Sequence, residues 1–374
     1  MIGYKKVIEF IKGEVILFTF LILLIVLTIL YPNEIINYPH FVNWITIMAL
    51  TGLLIITTGL KESGYFYVFS RRILNRLKSE RSLSIFLILL SALLSTFLTN
   101  DITLFIVVPL TLSMQNLLKN DLSKLIIFEA ISTNVGSTLT PIGNPQNLFL
   151  WQKWNISFID FIIKTTPLVV LLFTILLIFA WVIFPNKKIK FSESNKNNIP
   201  NKKNLFNLSL IMLIIYLIFL ELKLVYLILP IIFICYILFY SEILLKVDWL
   251  LLVMFIIIFI DFQVIATIPI VLEAINALNL HSSGNVFLLS ALTSQLISNV
   301  PSTVLISKFS NDYIAITYGV NVGGNGLVIS SLANIIALRM LKDKKIWLKF
   351  HRYSIPYFLA AVVLTYFIFF SNFI

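Results

Sequence analysis

Long apolar runs dominate the chain, and short polar stretches separate them. Several runs reach the roughly 20 residues that a helix needs to cross a bilayer. The runs are continuous rather than alternating, which predicts membrane-spanning helices and excludes a transmembrane β-barrel. About nine full spans are predicted, near 15–31, 41–60, 125–150, 160–184, 205–221, 223–240, 249–262, 311–338 and 353–372.

Two further apolar segments, 83–117 and 286–310, are interrupted in the middle by polar residues. Each arm of the first would be about 24 Å long, shorter than a hydrocarbon core of about 30 Å, and the second arms are shorter still. We therefore predict two re-entrant helical hairpins. A stretch too polar to span precedes each one, at 61–81 and at 263–280, which predicts helices lying in the membrane interface.

The basic residues predict the orientation of these spans. With the N-terminus inside, all but four of the 28 Lys and Arg residues fall in predicted cytoplasmic segments. The exceptions are Lys153, Lys164, Lys223 and Lys308. Because cytoplasmic loops are enriched in basic residues, we predict an N-inside, C-outside protein whose two hairpins enter from opposite faces. The same rule explains the net charge of +11 without nucleic acid as a partner.

Composition agrees with a protein of the lipid bilayer, since 59% of residues are hydrophobic and 12% are charged. A soluble protein carries about twice that charged fraction. The basic stretch 185–204 predicts a cytoplasmic linker between a first half, 1–184, and a second half, 205–374. The lone Cys235 provides neither a disulfide nor a thiolate metal site.

The two halves share motifs in the same order. The hairpin tips read "LTNDIT" (98–103) and "ISNVPST" (297–303). Downstream, "NVGSTLTPIGNPQN" (134–147) corresponds to "NVGGNGLVISSLAN" (321–334), and both begin Asn-Val-Gly and end in Asn. We therefore predict an all-α inverted repeat in which the spans 125–150 and 311–338 are broken helices.

Helix breaks at membrane depth suit the binding of ions and small polar substrates. Non-helical backbone persists there only where it lines a polar cavity or is buried in protein. A half-helix N-terminus favours an anion, and freed carbonyl groups suit Na⁺. Two tips and two breaks are thus predicted to surround one site near the bilayer midplane. The final residues of the motifs, Asn147 and Asn334, are interpreted as holding the broken helices together.

The motifs "TNDIT", "GSTLTPIGNPQN", "SNVPST" and "NVGGNG" resemble those of the ion transporter superfamily. The resemblance is to the arsenite permease and NhaD-type antiporter group, which has citrate transporter-like domains and is related to the divalent anion/sodium symporters. It covers roughly 41–372 and implies a homodimer with elevator-type alternating access in the plasma membrane. Asp101 and Val300 stand where the symporters have Thr, and an Asn-Asp tip is closer to the arsenite permease side.

The resemblance and the repeat together nominate binding residues on the tips and breaks. They are Thr99, Asn100, Asp101, Thr103, Asn134, Gly136, Ser137, Thr138, Pro141, Asn144, Ser298, Asn299, Ser302, Thr303, Asn321, Gly323, Gly324 and Asn325. Na⁺ would bind at Asn100, Gly136, Asn299 and Gly323. No other metal and no cofactor is predicted.

Asp101 is an acid with about fifteen mostly apolar residues on each side, a placement that costs several kcal/mol. We interpret it as a group that exchanges H⁺ or binds a cation and so couples the driving ion to transport. The alternative is a structural N-cap of the second hairpin arm. Glu129, in "IIFEAIST", either takes part in a relay or is solvated near the interface.

The sequence thus predicts a secondary active transporter for a small anion or oxyanion, arsenite-type or carboxylate, driven by H⁺ or Na⁺. The main alternative is a Na⁺/H⁺ antiporter of the NhaD type. An intramembrane enzyme that uses Mg²⁺ would need clustered acids, whereas Asp101, Asp121 and Asp312 stand apart in the sequence.

Overall fold

A computed structural model describes residues 14–66, 68, 79–112, 122–188, 202–278, 280–341 and 345–371. Over these residues the regular structure is helical, and Ser79 and Lys188 form an isolated β-bridge. The helices before the linker are α1 (Val15–Leu30), α2 (Tyr38–Phe41), α3 (Trp44–Glu62), α4 (Glu80–Phe97), α5 (Asn100–Leu112), α6 (Ser123–Ser137), α7 (Pro145–Trp154) and α8 (Phe158–Ile183). Those after it are α9 (Lys203–Glu221), α10 (Val225–Leu244), α11 (Trp249–Ile265), α12 (Pro269–Asn276), α13 (Ser283–Ile297), α14 (Asn299–Ile306), α15 (Tyr313–Gly323), α16 (Leu332–Arg339) and α17 (Ile346–Phe369).

The described helices confirm a polytopic helical membrane protein. Six of them, α3, α4, α8, α9, α10 and α17, are long and apolar enough to cross a membrane. Counting two sharply bent pairs, which begin with α1 and α11, raises the number to eight. The other two predicted spans are each divided into short helices, α6 with α7 and α15 with α16, so neither piece reaches spanning length by itself.

The first hairpin arm is longer than the sequence suggested. Helix α4 has 18 residues, about 27 Å, and qualifies as a candidate span. A capping box fixes its start, because the Ser79 hydroxyl accepts from the Ser82 backbone N–H and the Ser82 hydroxyl accepts from that of Ser79. Helix α5 follows after only Leu98 and Thr99.

The second interruption turns the chain back on itself. Helices α13 and α14 are separated by Ser298 alone. The Ser302 hydroxyl donates to the Ser290 carbonyl at 3.2 Å, a pair that a straight helix would hold about 18 Å apart. Beyond α11, the chain bends by 81° into α12, within the stretch predicted to lie in the interface. The other predicted interfacial helix, 61–81, and the linker 185–204 fall largely outside the described residues.

The helices pack in corresponding pairs from the two halves. Helix α4 packs on α6 as α13 packs on α15, and α1 packs on α11 as α10 packs on α3. Each second hairpin arm contacts the second part of the opposite broken helix: α5 lies on α16, and α14 lies on α7. The hairpins therefore position the two helix breaks, which lie between them.

Candidate functional site

The first break separates α6 from α7 and is built from small polar side chains. The hydroxyls of Ser137 and Thr138 both donate back to the Asn134 carbonyl, at 3.0 and 2.9 Å, where α6 ends. Helix α7 then starts at Pro145, whose missing N–H costs nothing in the first turn. Asn144 caps it by accepting from the Asn147 backbone N–H at 2.9 Å.

The second break separates α15 from α16 and uses glycine and asparagine instead. Helix α15 ends at Gly323, and Asn325 donates back to the Asn321 carbonyl at 3.1 Å. That bond corresponds to the one from Thr138 to Asn134, because positions 187 apart are matched in the two motifs. Gly324 stands where the first break has Ser137.

The two breaks are joined by crossed amide hydrogen bonds. Asn134 at the start of the first motif donates to Asn334 at the end of the second, at 3.0 Å. Reciprocally, Asn321 at the start of the second motif donates to Asn147 at the end of the first, at 2.7 Å. Asn147 and Asn334 therefore hold the broken helices together, as the sequence predicted.

Two further pairs of bonds repeat between the halves. Asn144 donates to Asn321 Oδ1 at 3.1 Å, and its counterpart Ser331 donates to Asn134 Oδ1, also at 3.1 Å. The Asn334 side chain donates to the Gly324 carbonyl at 2.9 Å, and Asn147 donates to that of Ser137 at 3.2 Å. All of the Asn side chains in these bonds are buried, whereas Asn325 Oδ1 in the second break has no hydrogen-bond partner among the described residues.

Each hairpin is attached to the break in its own half. Thr96 of α4 donates to the Gly136 carbonyl, and Gln295 of α13 donates to that of the matched Gly323. At the tips, the Asn100 backbone N–H donates to the Gly143 carbonyl at 3.0 Å. The Ser298 hydroxyl makes a longer contact of 3.4 Å with the carbonyl of Ser330, which is the position matched to Gly143.

Asp101 lies in the first turn of α5, at the first tip, and is 7% exposed. Its Oδ1 atom has no hydrogen-bond partner among the described residues, and neither do the nearby hydroxyls of Thr99 and Thr103. The backbone N–H of Asp101 itself donates to Asn100 Oδ1. These three buried polar groups at one tip therefore retain hydrogen-bonding capacity that no described residue satisfies.

A cavity of about 230 Å³ lies near this tip. Its lining includes Phe105, one turn beyond Asp101, together with Asp248, Met254, Leu332 and Arg339. Asp248 is the N-cap of α11 and lies close enough to Asp101 to act on it electrostatically. Thr99, Asp101 and Thr103 are not among its lining residues, so the cavity lies beside the tip and is not formed by it.

The predicted binding residues are nearly all buried, but they do not all contact one another. All are buried except Ser298, which is half-buried. Asn134, Thr138, Asn144, Asn321 and Gly324 meet through hydrogen bonds across the breaks. Ser302 and Thr303 bond within the second hairpin, to Ser290 and Asn299. The tips contact their own breaks: Asn100 meets Gly143, and the Asn299 amide lies beside Gly324.

Glu129 is not solvated. Its side chain on α6 is 0% exposed, and the Thr111 hydroxyl at the end of α5 donates to Oε1. Its Oε2 atom has no partner in the described part of the chain. The interpretation of Glu129 as a solvated interfacial acid is therefore wrong, and its relay role stays a prediction.

The sequence reasoning missed several polar residues of this region. Thr96, Gln295 and Ser331 are hydrogen-bonded to the breaks, and matched spacing could have indicated the first two, each three residues before a tip polar residue. It also missed Asp261, which lies inside the apolar span of α11 and is 0% exposed.

Comparison with known proteins identifies the family. Residues 7–311 match the family model described as Citrate transporter. The chain is 40% identical over 330 residues, 88% of each protein, to inner membrane protein YbiR of Escherichia coli strain K12. It is also 40% identical over 326 residues to an uncharacterized transporter of Methanocaldococcus jannaschii, covering 85% of this chain and 86% of the relative.

A more distant match supports the predicted superfamily. The putative transporter arsB of Dictyostelium discoideum is 27% identical over 180 residues, which are 47% of this chain and 31% of the relative. The matches and the apolar helices confirm the predicted resemblance and an integral protein of the plasma membrane. The chain is a membrane transporter of the citrate and arsenite permease type, and it belongs to the citrate transporter family.

Proposed function

We propose that the chain is a secondary active transporter of a small anion or oxyanion, coupled to H⁺ or Na⁺. The observation that carries the proposal is the buried Asp101 carboxylate, with an unpartnered oxygen, beside the first helix break. An ionisable residue at membrane depth that faces protein is a functional site by default, because its desolvation is costly. A purely structural cap could be Ser or Asn at lower cost.

We also propose that the two halves form an inverted repeat around this site. The crossed bonds Asn134–Asn334 and Asn321–Asn147 support it, since each is the counterpart of the other. The distribution of basic residues supports hairpins that enter from opposite faces. One substrate site between the two breaks then serves both sides of the membrane.

Recognition of an anion would rest on backbone and neutral side chains. The tips and breaks contain no Lys or Arg, so helix N-termini and amide groups must stabilise the negative charge. The N-termini of α5, α7, α14 and α16 all begin at a tip or a break. An ionised Asp101 would repel an anion here, so anion binding favours Asp101 with a bound H⁺ or Na⁺. That linkage is a physical basis for coupling.

The alternative, Na⁺/H⁺ antiport of the NhaD type, is favoured by the same absence of basic residues. One carboxylate surrounded by amide and hydroxyl oxygens suits a monovalent cation without any anion. In that case Asp101 binds Na⁺ and H⁺ in turn.

Movement would follow the division of the packing. Helices α1, α3, α9, α10 and α11 pack mainly on one another, and we propose that they form the stationary scaffold and the surface of a homodimer. The hairpins and broken helices would move against them in an elevator-type cycle. A monomer in mild detergent and in lipid, by mass measurement, would contradict the dimer.

The test is a flux panel with the purified protein in proteoliposomes. Labelled citrate, arsenite and ²²Na⁺ are offered under imposed Na⁺ or pH gradients. Accumulation of an anion that requires one gradient supports the first proposal and identifies the driving ion. Sodium movement against H⁺ with no anion flux supports the antiporter instead. No flux of any of these solutes would contradict both for this set of substrates.

A further inference from the structure

Asp261 is a third buried acid, after Asp101 and Glu129, and it lies outside the tips and breaks. It lies on α11 within "WLLLVMFIIIFIDFQVI", an otherwise apolar helix apart from Gln263. Its side chain is 0% exposed, and neither carboxylate oxygen has a hydrogen-bond partner in the described structure. Glu129 at least accepts one bond from Thr111, so Asp261 is the less compensated of the two.

The helices that contact α11 offer Asp261 no free counter-charge among the described residues. Helix α7, which touches α11 through Phe149, carries Lys153, but the ammonium group of Lys153 donates to the carbonyl and hydroxyl of Ser307. Within the described residues, α11 makes its main contacts with α1, α2, α3 and α14. Helices α1 and α14 contain no ionisable residue. On α2, Tyr38 is hydrogen-bonded to Thr28 and His40 is exposed; on α3, Lys61 and Glu62 pair with each other. On α11 itself, the N-cap Asp248 is exposed and accepts from the Leu251 N–H.

An ionised carboxylate in such surroundings costs several kcal/mol, even after relaxation. The same group as a neutral acid costs far less, because only one polar O–H and one carbonyl remain unpaired. A bound Na⁺ would need several oxygen ligands, and neither Asp261 oxygen shares a hydrogen bond with a neighbouring polar group. A proton is therefore the ligand that this environment suits.

The residues next to Asp261 on α11 contact both a broken helix and another helix of the proposed scaffold. Phe259, two residues earlier, contacts Phe149 of α7, with ring centroids 5.3 Å apart. Phe262, the next residue, contacts Phe20 of α1 at 6.1 Å. Asp261 thus lies on α11 between a contact with a broken helix and a contact with the proposed scaffold. A sliding movement of α7 and α14 along α11 would change the surroundings of its carboxyl group.

We propose that Asp261 is a second proton-carrying residue of the transport cycle. It holds a proton on its carboxyl group in this conformation and releases it to water when α7 and α14 move. The inference rests on the proposed function, since it requires a moving domain and a transported solute. Asp101 would bind the ion that accompanies the substrate, whereas the protonation of Asp261 would depend on where α7 and α14 lie along α11.

The test combines infrared spectroscopy with proton counting. Purified full-length protein in lipid should show a carbonyl stretch of protonated carboxylic acid at neutral pH, part of which is lost in Asp261→Asn. The matched control is Asp160→Asn, which removes an exposed acid and should leave that band unchanged. In proteoliposomes, Asp261→Asn should retain exchange of the transported solute and move one proton fewer per solute.

The outcomes separate this inference from the proposed function. An unchanged carbonyl band in Asp261→Asn, or an unchanged proton count, would overturn the role of Asp261 while the wild type still transports. A wild type that transports nothing would overturn the proposed function first. Asp261→Leu guards against misfolding from a buried amide, because it fills the space with an apolar side chain; it should fold and show the same lost proton.

Discussion

The two hairpin tips make corresponding contacts with their helix breaks but differ in charge and in backbone. The first tip contacts the Gly143 carbonyl and the second contacts that of Ser330, which are matched positions. The first tip carries Asp101 where the second has Val300. The second has Ser298 at φ 75° and ψ 157°, a region that almost only glycine adopts.

The comparison separates the residues that position the site from the residue that is proposed to couple it to the driving ion. The crossed amide bonds recur in both halves, so they are the part that positions the broken helices. The carboxylate occurs at one tip only, so under the proposed function the ion that accompanies the substrate would bind at the tip of the first half. The strained backbone occurs at the other tip, where a single residue joins α13 to α14. The four predictions below test these assignments, from the largest expected effect to the smallest.

The largest effect is expected from Asp101→Asn. The substitution keeps the shape and the hydrogen-bonding capacity but removes the charge that binds H⁺ or a cation. We expect gradient-driven accumulation to fall to passive equilibration, while exchange across the membrane and dimerisation persist. The measurement is flux across pH 5–8 in proteoliposomes.

The matched control for that experiment is Val300→Thr at the second tip. It introduces a polar group at the corresponding position and should leave accumulation intact. If Asp101→Asn accumulates substrate as fast as the wild type throughout this range, the carboxylate is only a cap and the coupling site lies elsewhere.

The second effect compares two glycines of the breaks. A Cβ at Gly136 would meet the carbonyl oxygen and Cα of Ala92, which are backbone atoms of α4. A Cβ at Gly324 would meet the Asn299 amide at 3.0 Å, and that side chain can move. Overpacking costs about 1–3 kcal/mol, so we expect the upper end for Gly136→Ala and the lower end for Gly324→Ala. Equal losses in the free energy of unfolding in detergent would contradict the comparison.

The third effect concerns the crossed amides. Asn334→Ala removes the acceptor of Asn134 and a donor to the Gly324 carbonyl, and Asn147→Ala removes the matched groups. Leaving a buried polar group unpaired costs about 1–3 kcal/mol. We expect similar losses of unfolding free energy for the two variants, because the halves use these residues in the same way. A loss confined to one variant would mean that only one break depends on its crossed bond.

Much of this arrangement was predictable from the sequence. The breaks at 125–150 and 311–338 follow from Gly and Pro in apolar spans, and Asn147 and Asn334 follow from matched spacing. Gln295 was not predicted as part of the site, although it precedes the second tip by the same spacing as Thr96 precedes the first; its bond to the Gly323 carbonyl of another helix is seen only in the folded structure. Asp261 was missed because a single acid near the end of a long apolar run resembles a span boundary. Only the folded structure shows that neither carboxylate oxygen of Asp261 has a hydrogen-bond partner among the described residues.

Helix α4 begins at Glu80, before the predicted start of the first hairpin at 83, and the reason is local. The serines at 79 and 82 form a capping box that extends the first arm, and short polar residues before an apolar run could have indicated it. The strain at Ser298 was not predictable, since serine itself gives no signal for a positive φ. It follows from the need to reverse the chain with one residue between two helices.

The smallest effect is expected from Ser298→Gly. Strained backbone in this region costs about 1–3 kcal/mol, and glycine relieves it while losing about 0.5–1 kcal/mol to the greater freedom of the unfolded chain. The Ser298 hydroxyl makes only long contacts, of 3.4 and 3.5 Å, so little is lost with it. We therefore expect a net gain of about 1 kcal/mol in unfolding free energy. Thr99→Gly at the first tip is the control. Because Thr99 does not have a positive φ, this substitution relieves no strain and should lower the free energy of unfolding. Equal destabilisation of both variants would show that the second tip stores no strain and that its conformation serves packing alone.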